Sequence, residues 1–109
     1  MEFTNEAFLT QLEYHPSAVL LGQLGKIKDN TKNFDYMLKH ILNLHEQLKP
    51  YGSFVALSNS NDFIKIKNQA DEALKTEVAK IIEDWAQKYK IDIEKVFGKE
   101  TYYIKGYEK

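Results

Sequence analysis

The sequence predicts a single α+β domain, residues 1–109, in which a long central amphipathic helix and a second long helix pack on a small antiparallel three-stranded sheet. Three observations carry this. Apolar residues recur at steps of four and three from Leu20 to Leu48, and a second helical stripe runs from Leu74 to Tyr89. Between and after them lie short β-rich runs, "SFVALS", "DFIKIKN" and "TYYIKGY". The expected element order is α-α-β-β-α-β. At 109 residues a chain buries roughly two-thirds of the surface its unfolded form exposes, enough for one core.

The first helix is expected in "FTNEAFLTQLEY", where Thr4 can cap the N-terminus and Phe3 can staple onto Phe8. Leu9 and Leu12 continue its apolar face, and Pro16 should close it. Pro16 and Ser17 both suit the start of the next helix. From there Leu20, Leu24, Ile27, Thr31, Phe34, Leu38, Ile41, His45 and Leu48 keep one register, the spacing of a coiled-coil seam. A continuous helix from Ser17 to Lys49 would be about 48 Å long. Its competitor is a break at Asp29–Asn33, five middling or poor helix formers; the unbroken register favours continuity. Pro50 and Gly52 end the element in either case.

"SFVALS" and "DFIKIKN", joined by "NSN", read as a hairpin, with Ile64 and Ile66 alternating with Lys65 and Lys67. Asn68 followed by acids signals a helix whose stripe is Leu74, Val78, Ile81, Ile82, Trp85 and Tyr89. Asp92 is read as the cap of one more helical turn, "IEKVF", stopped by Gly98. The tail "TYYIKGY" supplies the third strand, at an edge.

Composition narrows the function classes. There is no cysteine, so disulfides and thiolate metal sites are unavailable. All fifteen basic residues are lysine and the net charge is −1. A chain without arginine lacks the bidentate fork that reads phosphates and guanine edges, and near-neutral charge gives little counterion release. Nucleic acid is therefore a disfavoured partner. The acidic N-terminus and the absence of a long apolar run lead to the expectation of a cytoplasmic protein with no membrane partner.

"GQLGK", Gly22 to Lys26, has the wrong spacing for a nucleotide-binding P-loop, and isoleucine stands where Ser or Thr is needed. A KH-type G-x-x-G loop would waste Leu24, which lies on the seam, and would need a strand ahead of it. The helical reading remains, with Gly22 and Gly25 opposite the seam. Together they cost about 2 kcal/mol of helix propensity, and a close approach of the first helix is expected to offset it.

His40 and His45 are five apart, a spacing that sends their rings to different sides of a helix, so no metal site is expected. No cofactor is expected either. His45, on the seam, reads as a partly buried histidine satisfied by a hydrogen bond, or as a polar register-setter or pH-sensitive contact between helices. No G-x-S-x-G elbow occurs, and the acids of the third helix belong to its wet face. The expectation is a non-catalytic interaction module that forms a homodimer or docks a helical partner through Leu20, Leu24, Ile27, Phe34, Leu38, Ile41, His45 and Leu48. Two alternatives stand beside it. One is a single-stranded nucleic-acid binder using Gly22 and Gly25, or Tyr102, Tyr103 and Tyr107 with Lys99 and Lys105. The other is a small-ligand binder or enzyme with a helix–sheet pocket around His45, Glu46 and Tyr51.

Overall fold

In a computed structural model, residues 4–58 and 62–107 are described. Among the described residues the chain is α+β, with four α-helices and a four-stranded antiparallel sheet. The helices are α1 (Asn5–Gln11), α2 (Ala18–Asn30), α3 (Phe34–Leu48) and α4 (Glu72–Lys88). The strands are β1 (Phe54–Leu57), β2 (Ile64–Lys67), β3 (Ile91–Lys95) and β4 (Thr101–Tyr107), arranged β1-β2-β4-β3. The order is thus α-α-α-β-β-α-β-β, one helix and one strand more than the sequence predicts.

Thr4 caps α1 as expected, its Oγ1 accepting from the Ala7 N–H at 3.0 Å, and Ser17 caps α2 through the Leu20 N–H at 3.2 Å. The proposed Phe3 staple and the "NSN" turn lie outside the described residues. Helix α1 ends well before Pro16. Its C-terminus is a Schellman turn: the Glu13 N–H donates to the Thr10 carbonyl and the Tyr14 N–H to the Leu9 carbonyl, both at 2.9 Å. Glu13 takes the left-handed position at φ 71°, where glycine is usual.

The continuous Ser17–Lys49 helix is not formed. Asn30 ends α2, and Thr31, Lys32 and Asn33 leave the helix to reach the sheet. The Lys32 carbonyl accepts from the Tyr107 N–H at 2.9 Å, and Lys32 forms a parallel bridge with Gly106, prolonging the line of β2 along β4. Asn33, at φ 57°, turns the chain into α3, and its side-chain amide reaches the Tyr107 carbonyl at 3.4 Å. A rod of about 48 Å would also have outrun a molecule whose longest dimension is 39 Å. Gly106 is where the backbones come close: a Cβ there would stand 3.0 Å from Lys32 Cβ and 3.1 Å from its carbonyl oxygen. Gly22 and Gly25 do not play this role. A Cβ on either would meet nothing within 4 Å, so the expected approach of α1 onto them is absent.

After α3 a 3₁₀ turn, Lys49–Tyr51, contains Pro50 and closes on Gly52 at φ 75°. Asn68 does not cap α4. Asp71 holds that position, while the Asn68 side chain accepts from the Ala70 N–H and donates to the Lys75 carbonyl, pinning the end of β2 to the first turn of α4. The segment read as a helical turn at Asp92 is instead β3. Lys90, at φ 56°, reverses the chain, and Ile91 and Ile93 alternate with Asp92 and Glu94 along a strand paired with β4. Gly98, at φ 76°, serves the turn between these strands. The tail strand is interior, hydrogen-bonded to β2 on one side and β3 on the other.

The helices cover one face of the sheet. Val55, Leu57, Ile64, Ile66, Tyr102 and Ile104 point into the core. Lys65, Lys67, Tyr103 and Lys105 lie on the opposite face. Pairing of β3 with β4 skips Lys105 at the Asp92–Ile93 step, and this bulge returns Tyr107 to the helix side, where it stacks on Tyr36 at 5.6 Å. No described helix is long and apolar enough to cross a membrane.

The glycines give a direct check. Gly22→Ala and Gly25→Ala should each stabilise the protein by about 0.5–1 kcal/mol, whereas Gly106→Ala, which presses on the Lys32 backbone, should destabilise it by about 1–3 kcal/mol. Urea unfolding midpoints of the three variants read both signs.

Candidate functional site

Each residue of the predicted seam has a place in the chain's own core. Leu24, Ile27, Ile41 and Leu48 are 0% exposed, Phe34 4% and His45 2%. Leu20 and Leu38 are half-buried against the same cluster. The seam is thus continuous in register across the Thr31–Asn33 break, but it faces inward. Phe8 of α1 meets Phe34 edge-on at 5.6 Å.

The tail residues do not share a surface. Tyr102 is buried among the helices, and Tyr107 is stacked beside α3. Tyr103 packs on Phe63 at 5.8 Å on the opposite face. Lys105 sits over the Phe63 ring at 4.1 Å and pairs with Glu94 at 3.2 Å. One base-stacking platform built from the three tyrosines is therefore not formed.

His45 is where polar groups gather. It lies in the last turn of α3, facing β1, the edge strand. Phe54 and Ala56 pair toward β2, so the N–H groups of Val55 and Leu57 point off the sheet. Both are met by side chains: the Val55 N–H donates to His45 Nδ1 at 3.1 Å, and the Leu57 N–H to the Tyr14 hydroxyl at 3.2 Å. An edge that would otherwise offer its donors to another chain is closed by two acceptors. Because Nδ1 accepts, the ring proton is on Nε2, which donates to Glu13 Oε2 at 3.0 Å.

Glu13 reaches His45 because of its left-handed backbone, a conformation that costs a residue with a side chain about 1–2 kcal/mol. Lys49, one turn beyond His45, stands 3.9 Å from both Glu13 Oε1 and Glu46 Oε1. Glu13, His45 and Lys49 rim a cleft of about 360 Å³, whose other walls include Leu12, Phe54, Val55 and Ala56. Its volume lies toward the low end of the range for small-molecule pockets. Of the pocket residues read from sequence, His45 lines the cleft; Glu46 touches it only through Lys49, and Tyr51 does not line it. Glu13 and Tyr14 were missed because a Schellman turn without glycine leaves no mark in the sequence.

The second aromatic cluster lies between α3 and α4. His40 stacks on Tyr89 at 3.8 Å, and Trp85 donates its indole N–H to the His40 carbonyl at 2.9 Å. Burial, and then the Lys88 ammonium, hold the His40 pKa below the usual 6.5. Among the described residues no group of three His, Asp or Glu side chains could hold a metal ion. Comparison of the chain with protein-family models, with curated proteins and with solved structures finds no match.

Three outcomes follow for these clusters. Tyr14→Phe should cost about 1–3 kcal/mol by orphaning the Leu57 N–H and should speed its hydrogen exchange. Glu13→Gly should cost less than Tyr14→Phe, since relief of about 1–2 kcal/mol of backbone strain offsets much of the loss of the acceptor for the buried His45 Nε2–H. For His40, a depressed folded-state pKa gives stability that is complete above pH 6.5 and falls as the pH drops through the folded value. Unfolding of His40→Gln should therefore lose less stability than the parent between neutral and mildly acidic pH, and a His40 NMR titration should have its midpoint below 6.5.

Proposed function

We propose that the chain is a non-catalytic binding protein whose working site is the cleft between the α1–α2 loop, the end of α3 and β1, and that it holds a small organic ligand with an apolar body and a polar head. The observation that carries this is the convergence of Glu13, His45 and Lys49 on one rim of an otherwise largely apolar cleft. Leu12, Phe54, Val55 and Ala56 would take the apolar body. The left-handed Glu13 supports the reading, because strain kept at a residue whose side chain then reaches a cleft is a usual mark of a site.

Binding is favoured over catalysis by the state of His45. Its Nδ1 is occupied by the Val55 N–H and its Nε2 proton by Glu13, so the ring has no lone pair to offer as a general base. The homodimer or helix-docking reading through Leu20–Leu48 has less support, because that surface is spent on the core.

The test is ligand-observed and protein-observed NMR with a library of small amphiphilic fragments. Saturable shifts should cluster at the backbone amides of Tyr14, Ser53, Val55 and Ala56. Binders that map only to other surfaces, or none at all, would remove the cleft as the working site.

A further inference from the structure

Resting on that reading, the hydrogen-bonding state of the rim narrows the head group. We infer that the cleft recognises an amide edge in which C=O and N–H point the same way, as in a primary carboxamide or a cis-lactam. His45 gives nothing to a ligand, since both of its nitrogens are engaged. Glu13 Oε2 already accepts from it, which leaves Oε1 as the less committed of the two carboxylate oxygens. What remains is Glu13 Oε1, an acceptor, and Lys49 Nζ, a donor, 3.9 Å apart. At that separation they attract but do not hydrogen-bond. Lys49 stands equally far from Glu46 Oε1, so among the described residues its N–H groups meet no acceptor at bonding distance.

One open acceptor beside one open donor calls for a ligand group carrying the complementary pair. An amide has its oxygen and nitrogen about 2.3 Å apart by its bond lengths. Two slightly splayed bonds of about 2.9 Å then join it to atoms separated by 3.9 Å. A trans secondary amide does not fit, because its C=O and N–H point in opposite directions. This excludes the ordinary peptide bond. The simpler ions match this pair less well. With His45 neutral in this hydrogen-bonding pattern, Glu13, Glu46 and Lys49 sum to about one negative charge, which disfavours a carboxylate. An amine is attracted by that charge and can donate to Glu13 Oε1, but it carries no acceptor for the Lys49 donor.

Four probes of one shape separate these cases: benzamide, N-methylbenzamide, benzoate and benzylamine, each titrated into the protein while the Tyr14, Ser53 and Val55 amides are followed by NMR. Benzamide should saturate these shifts, and N-methylbenzamide should bind about tenfold more weakly for loss of one aligned hydrogen bond. Lys49→Met, at a side chain 43% exposed, should weaken benzamide by a similar factor and leave the fold intact. If benzoate or benzylamine saturates the same amides as well as benzamide does, the amide inference fails and the cleft stands as a site. If none of the four moves them, both readings fail together.

Discussion

The arrangement depends on three residues of backbone, Thr31 to Asn33, leaving the helical path to hydrogen-bond with the end of β4. Their side chains are compatible with a helix in register, but the Tyr107 N–H and the glycine at position 106 offer the backbone a better partner. Once Lys32 is docked, α2 and α3 become separate arms. Each can turn its half of the apolar stripe toward the sheet, and α1 can fold in against Phe34. The absence of a Cβ at Gly106 makes the contact possible, so a residue near one end of the chain decides the path of its middle.

A second constraint operates at β1. An edge strand must do something with the donors that face away from its partner, and here they are absorbed by His45 and Tyr14, side chains from α3 and the α1–α2 loop. Burying a histidine this far is tolerable because each ring nitrogen has a partner. The same geometry draws Glu13 onto the rim and leaves a concavity beside it. The cleft is thus a by-product of closing the sheet edge, and its polar chemistry is what edge closure leaves over.

Much of the fold was legible. Caps at Thr4 and Ser17, the stop at Pro50 and Gly52, the first two strands and the stripe of α4 all follow from local residue chemistry. The heptad spacing correctly marked buried positions, yet periodicity does not say whether a seam faces a partner or the chain's own sheet, and it ran unbroken through a segment that is not helical. The pattern Ile91-Asp92-Ile93-Glu94 has the period of a strand, a signal that reading Asp92 as a helix cap passes over. His45 was legible as a partly buried, hydrogen-bonded histidine, and the fold buries it further, to 2% exposure. Its partners were not, because Val55 and Glu13 are distant in sequence and Glu13 occupies a position whose usual signature is glycine.

Chain order and sheet order disagree at one point, and the disagreement shapes how the molecule assembles. β4 lies between β2 and β3 although it follows both. Until it is in place, β2 and β3 each present an open edge, and Lys32 has no strand to dock upon. The hairpin of β1 and β2 can form locally, but closure of the sheet and separation of α2 from α3 await the same segment. Folding should therefore be gated by a late, long-range event rather than by its helices, with the unpaired β2 edge the vulnerable surface in the interval.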